Sequence, residues 1–490
     1  MSNKSYRHTI KATAILSGAQ LIEALLSLVR AKIVATLLGP AGIAMNSIYQ
    51  TTLNTFFQFT SLGMPQSSVR SISSNIEDRE KTTLTINVFI KIMKILAISA
   101  LIIFLLLAST FNKLSFGKTG ENTMDFIILS IAIASMTLSY ANITILQGTK
   151  QLLSLGKTTI IGACISLLFA IPLYILLKHK GIVWAITIGY IISFLISLKY
   201  TKQLKFEKVN IPWNKIWEHA APMIKLGVII MISSVIINLY SYFTNVLLRY
   251  FGSLEDVGYY QAAYSLTNRN FAILSAALFS DYYPRLSSQL KNKVEFNNII
   301  NEQAEILILI ISYVSMILII FAPWIIELLL SKEFYIIREL VLLISYSFVF
   351  RIIWLTLSYV ALAKGDKKTY LVYDALIGNG FYFIINILFY HFWGLQGIGF
   401  SCIAGTIFVS ALLLIVYGRK YSVFYKKDFW ICQLSCIAFL SLFMAIQLID
   451  NIKLYYSSTI IIFIMYSIYT YQALNKRLEI NSIIKKYTKK

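Results

Sequence analysis

Residues 12–38, ATAILSGAQLIEALLSLVRAKIVATLL, form an apolar run long enough to cross a bilayer, for which about 20 residues suffice. The run nevertheless carries Gln20, Glu23, Ser27 and Arg30. At spacings of i, i+3, i+7 and i+10 these lie along one side of a helix. An ionised group at mid-bilayer costs ~3 kcal/mol on insertion scales, so such groups face protein or a water-filled cavity. The stripe therefore reads as one wall of a polar path through a membrane. The plainer alternative is a Glu23–Arg30 or interhelical pair that only holds helices together.

The rest of the chain repeats the apolar pattern. Of its 490 residues 57% are hydrophobic and 13% charged, with mean hydropathy +0.70. These values exclude a soluble protein of this size, and the absence of short alternating strands excludes an outer-membrane barrel. The fold class is an all-α polytopic membrane protein. Fourteen spans are expected near 12–38, 43–64, 84–109, 124–147, 158–177, 182–198, 222–248, 257–281, 303–330, 337–363, 370–390, 395–417, 429–449 and 454–474.

A net charge of +22 would suit nucleic acid, but the basic residues cluster in the short segments between spans. Counted from a cytoplasmic N-terminus, 29 Lys and Arg fall on the cytoplasmic side and 8 on the other. This positive-inside pattern predicts both termini in the cytoplasm, and no nucleic-acid partner is expected. Cys164, Cys402, Cys432 and Cys436 all lie in apolar runs and read as small core residues. The first run is too long for a cleavable signal and is expected to stay as an anchor.

The longest cytoplasmic segment, KYTKQLKFEKVNIPWNKIWEH at 199–221, should hold a short amphipathic stretch with Trp213 and Trp217 at headgroup level. It also divides an internal repeat. A shift of about 215 residues places Leu38-Gly39-Pro40 on Phe251-Gly252-Ser253, Arg70 on Arg285, and Gln147–Lys150 on Lys364–Lys367. Six spans separate equivalent points, so the two halves share one topology, with a pseudo-twofold axis along the membrane normal. The expected organisation is an N-lobe at 1–200, a basic linker at 201–221 and a C-lobe at 222–420. An extra helix pair with a basic tail follows at 421–490.

The repeat carries the first stripe onto Ser234, Asn238, Ser241 and Asn245 of span 7. Span 2 bears Asn46, Gln50, Asn54 and Gln58, each four apart, and span 8 bears Gln261, Ser265, Asn268 and Arg269. Four polar faces in symmetry-related helices point to a central cavity. For any single amide, interhelical hydrogen bonding at about 0.6 kcal/mol is the simpler account. Arg351 and Asp374 are further charges inside spans 10 and 11, where a structural pair is as good a reading as a functional one.

Arg30 and Arg269 present planar donors suited to phosphate or carboxylate. Glu23 either orients Arg30 or takes up a coupling proton, and Asp374 is a second candidate coupling carboxylate. A cationic cavity rich in amides and hydroxyls suits an anionic, sugar-bearing substrate. No P-loop is present, the four histidines pair with no nucleophile, and neither an enzymatic activity nor a cofactor or metal is expected.

The stretches VATLLGPAGIAMNSIYQ, SLGMPQSSVRSIS, EDVGYYQAAYSLTNRNFAILSAALFSDYYPRLS and LLLSKEFYIIRELVLL resemble the bacterial Wzx flippases. These form the polysaccharide transport branch of the multidrug/oligosaccharidyl-lipid/polysaccharide exporter superfamily. The resemblance covers about residues 8–420 and is nearest to translocases of O-antigen or enterobacterial common antigen repeat units. It implies two six-helix lobes of MATE-like fold in the bacterial inner membrane, alternating between cytoplasmic and periplasmic openings. The implied substrate is an undecaprenyl-diphosphate-linked oligosaccharide, with membrane lipids and the polysaccharide polymerase as partners. Arg30 and Arg269 would hold diphosphate or acidic sugar. Asn54 stands where relatives carry a further arginine, so a three-arginine cluster is not expected. Spans 13 and 14 exceed the usual twelve. The alternative on the same fold is a cation-coupled multidrug exporter, with Glu23 and Asp374 as coupling sites.

Overall fold

The computed structural model describes residues 3–117, 121–207, 209 and 211–478. They are almost entirely helical, and no strand occurs among them. The helices are α1 (Asn3–Thr60), α2 (Met64–Ser74), α3 (Arg79–Phe116), α4 (Thr123–Gly148), α5 (Leu152–Leu177), α6 (Gly181–Lys202) and α7 (Trp213–Phe251). They continue with α8 (Leu254–Ser288), α9 (Lys293–Leu329), α10 (Arg338–Ala363), the single turn α11 (Lys367–Thr369), a π-helical stretch Tyr370–Gly378, α12 (Asn379–Tyr421), α13 (Lys427–Ile446) and α14 (Ile452–Leu478). This is a multi-pass membrane protein.

Nine stretches among the described residues are long and apolar enough to cross a membrane, two of them bent pairs at 152–202 and 370–421. Spans 1 and 2 both fall in α1, and span 8 falls in α8. Spans 1 and 2 join without a loop. Gly39 turns the chain at φ 65°, a conformation open to glycine, and the following Pro40 donates no hydrogen bond. Gly394, at φ 57°, bends α12 in the same way.

Helix starts follow the local chemistry. Asp78 caps α3 by accepting from the Lys81 amide at 3.0 Å. Ser253 and Asp256 form a reciprocal capping box at the start of α8, with bonds of 2.9 and 3.0 Å. The segment after span 2 is not a plain loop: α2 buries Met64, Ser67, Ser68 and Ile72.

Two compact units are present. The first comprises Met1–Gly258 with Leu329–Ser331, and the second Tyr259–Leu328 with Lys332–Lys490. In the first, α7 begins nine residues before the expected span. Its opening turns bury Ile216, Ala220 and Met223 and expose Trp213 and Trp217, as an interfacial segment requires. The preceding linker is tied to α3, where Asn87 donates to the Glu207 carbonyl at 2.8 Å and Lys91 sits 4.6 Å over the Trp213 ring.

In the second unit the last two helices are fastened by polar contacts. Arg477 pairs with Glu305 at 2.6 Å, Tyr466 donates to Ser312 at 2.5 Å, and Gln433 donates to the Val349 carbonyl at 2.9 Å. Cys402, Cys432 and Cys436 are buried and Cys164 half-buried, and all four are free thiols.

A latch closes the turn before span 11. Asp366 accepts from the Thr369 amide at 3.0 Å and the Tyr421 hydroxyl at 2.7 Å, and pairs with Lys420 at 2.5 Å. Lys420, with the Thr369 and Tyr421 bonds, holds the Asp366 carboxyl well below the usual carboxylate range. A depressed pKa stabilises the fold above the unfolded value of about 4, and that gain is lost as pH falls toward the folded value. Asp366→Asn is therefore expected to lower the melting temperature at neutral pH and to flatten its decline between about pH 5 and about pH 3. Thermal melts of the detergent-purified protein check this; parallel wild-type and variant curves would remove the latch.

Candidate functional site

The first unit encloses a cavity of about 320 Å³ whose walls come from α1, α4, α5 and α6. The α1 wall brings together Glu23, Ser27 and Arg30 from before the Gly39 bend and Gln50 from after it. Without that bend the two polar stripes would lie far apart on one long rod. Glu23 is exposed and Arg30 half-buried. Ser27 turns back to the Ala24 carbonyl at 2.6 Å.

The remaining walls mix hydroxyls, Ser139 and Tyr140 on α4, Thr158 and Ser166 on α5, Tyr190 and Ser193 on α6, with small and apolar residues such as Ile143, Gly162 and Ala185. Tyr190 donates to Gln50 Oε1 at 3.0 Å, and the Ser139 and Ser193 hydroxyls are 2.7 Å apart. These bonds hold the polar walls in register while Arg30 stays available. Chemically the cavity offers one guanidinium, one carboxylate and many hydroxyls, and so suits a hydrated polar group bearing negative charge. Among the described residues no cluster of His, Cys, Asp and Glu could hold a metal ion.

The other residues singled out from sequence lie elsewhere. Asn46 and Asn54 are half-buried on α1 and are not among the cavity walls. Asn245 is buried and donates to Thr51 at 3.3 Å and Ser47 at 3.5 Å, binding α7 to α1. Asn238 bonds back to the Ser234 carbonyl at 2.8 Å. In the second unit Gln261 is half-buried, and Asn268 is buried and accepts from Arg351 at 2.8 Å. Arg351 lies 5.5 Å over the Trp354 ring, and Trp354 donates to Asp374 at 2.8 Å. Asp374 is thus buried in the π-helical stretch at the end of a side-chain chain running from Asn268. The side chains of Gln20 and Arg269 lie outside the described residues.

Sequence reasoning passed over the α4, α5 and α6 walls because those spans look uniformly apolar. A signal was present: Thr158, Gly162 and Ser166 are four apart, as are Ala185, Gly189 and Ser193. Such stripes of small and hydroxyl residues mark helix faces that meet protein or water.

The family model described as polysaccharide biosynthesis protein matches residues 9–290 of this sequence. A search of curated proteins finds no match. Among solved structures, the chain is similar to the lipid II flippase MurJ in an inward-closed conformation, with TM-score 0.66 and 18% identity, covering 95% of this chain and 99% of that one. An inward-facing multidrug resistance MATE family transporter of the MOP superfamily gives TM-score 0.67 and 16% identity, covering 84% and 98%. A mutant of the Vibrio cholerae MATE transporter VcmN gives 0.59 and 18%, covering 84% and 96%. At these identities the likeness is one of fold, and the fold is MurJ- and MATE-like.

Proposed function

We propose, on the premise that this chain belongs to the polysaccharide biosynthesis protein family, that it flips a lipid-linked glycan across a membrane. The observation that carries this reading is the Arg30 cavity with its hydroxyl-bearing walls. Such a cavity hydrates a polar headgroup while a polyprenyl tail stays in lipid. The substrate we favour is an undecaprenyl-diphosphate-linked oligosaccharide repeat unit of O-antigen type, carried outward across the bacterial inner membrane by alternating exposure of the cavity to the two faces. Both termini then lie in the cytoplasm, consistent with the distribution of Lys and Arg. The likeness to a lipid II flippase supports the lipid-linked class of cargo. Arg30 and Arg269 are the proposed anion contacts; Glu23 lines the Arg30 cavity without an ion pair to Arg30. The reaction is transport, without a catalytic step.

One observation favours a second reading. Glu23 is an exposed carboxylate in the same cavity, and a carboxylate facing water can exchange a coupling cation, as a multidrug exporter of this fold needs. Complementation of defined flippase-null strains, scored by glycan type, tests the first reading; drug-resistance assays in a strain lacking its own pumps test the second. Restored surface glycan without drug resistance is the expected result. Resistance without glycan rescue would replace the flippase by the exporter.

A further inference from the structure

The end of α12 forms a second pocket, of about 380 Å³, lined by Tyr373, Ile415, Val416, Arg419 and Lys420. The two cations in this last turn do different work. Lys420 is committed: its ammonium lies 2.5 Å from Asp366 and 2.5 Å from the Thr369 hydroxyl. Asp366 is likewise consumed by Lys420, Thr369 and Tyr421. Arg419 is exposed and, among the described residues, has no hydrogen bond or ion pair. A cation at a helix C-terminus is favoured by the helix dipole, but only by about 0.3–1 kcal/mol at the surface. Its guanidinium remains open to an outside anion.

The surroundings define the class of anion. Ile415, 55% exposed, lies one turn before Arg419 on the same face, with Val416 beside it. Ile415 and Val416 thus place an apolar surface within one turn of a cation at the end of α12. Tyr373, held on the π-helical stretch, lines the same pocket. Segments 364–369 and 418–428 together carry seven Lys and Arg against Asp366 and Asp428. A free anion in water has no use for the apolar surface, and a zwitterionic headgroup gains little from the net charge.

We propose that this pocket binds the phosphate of an anionic phospholipid headgroup, with Arg419 as the contacting cation, Tyr373 as a second donor and an acyl chain along Ile415 and Val416. The site is separate from the Arg30 cavity and does not depend on what that cavity carries.

The test uses the full chain purified in detergent, with native mass spectrometry of retained lipid after adding phosphatidylglycerol, phosphatidylethanolamine or inorganic phosphate. Wild-type protein is expected to retain phosphatidylglycerol over phosphatidylethanolamine. Arg419→Gln is expected to retain it about fivefold less, since a Lys or Arg near an anionic surface contributes ~1 kcal/mol. Tyr373→Phe should lose part of that retention, and Lys453→Gln, outside the pocket and both basic segments, should retain wild-type levels. Arg419 and Lys453 are both exposed, so folding is not at stake in either variant. Equal retention by Arg419→Gln and wild type overturns the proposal, as does equal binding of the two lipids. Competition by millimolar inorganic phosphate would assign the pocket to a soluble anion and overturn it too.

Discussion

Arg30→Ala is expected to abolish surface polysaccharide in a complemented flippase-null strain while leaving the protein in the membrane at wild-type abundance. Arg30 is half-buried in a cavity with polar walls, and its removal takes away the only cation among the lining residues. A hydrogen bond to a charged group contributes roughly 1.5–3 kcal/mol, so loss of one contact to a diphosphate weakens binding by about tenfold to a hundredfold. Loss of a bidentate pair costs more, and Arg30→Lys should recover only part, because an ammonium does not reproduce the planar fork. Glycan display, read beside an immunoblot of the membrane fraction, checks both variants. Wild-type glycan from Arg30→Ala would remove this residue from the site. Glu23→Gln separates the two proposed functions: it should leave glycan export largely intact if Glu23 is only a cavity wall, and should eliminate drug resistance if Glu23 carries a coupling cation.

The second large effect is structural. Gly63, at φ 61°, ends the bend between α1 and α2, and Gly227 of α7 lies directly against it. A Cβ added at Gly227 would stand 2.4 Å from the Leu62 carbonyl oxygen and 3.0 Å from the Gly63 carbonyl carbon. Both obstacles are backbone, so no side-chain rotation relieves them. Gly227→Ala must push α7 away from the α1–α2 bend, where Ser68 and Met223 also meet at 3.5 Å. Overpacking in a well-filled interior costs about 1–3 kcal/mol, and the upper end is expected here. The variant should melt several degrees below wild type in detergent and should accumulate less in the membrane. Gly162→Ala is the matched control: a Cβ there meets nothing within 4 Å, so its melting temperature should be unchanged. If the two glycine variants melt alike, the backbone contact at Gly63 contributes nothing to stability.

Much of the architecture can be read without coordinates, and the Gly39 bend shows where such reading stops. The apolar runs mark the helices to within a turn or so in most cases, because a bilayer leaves an exposed segment no partner for its backbone except itself. The runs alone place a loop between spans 1 and 2, whereas one glycine with positive φ joins them directly. The same holds for the π-helical stretch that carries Asp374, which leaves no mark in hydropathy.

The candidate site divides along similar lines. Glu23, Ser27 and Arg30 were legible because charge in an apolar run is costly and therefore conspicuous. Gln50 was legible as one of four evenly spaced amides, but only the fold separates it, as a cavity wall, from Asn46 and Asn54. Asn245 has the spacing of a cavity residue and the position of a helix fastener. Ser139, Ser166 and Ser193 were hidden because serine in a membrane helix can satisfy its hydroxyl on its own backbone and so carries little cost.

By itself, then, the sequence determined that this chain spans a membrane as many helices, and which of those helices bear costly polar faces. Both follow from the free energy of transferring side chains and backbone into hydrocarbon, a property each segment has alone. The tertiary structure decided which polar faces meet around one cavity and which merely bind helices together. That depends on which helices become neighbours, and on backbone bends at single residues, neither of which any segment specifies in isolation.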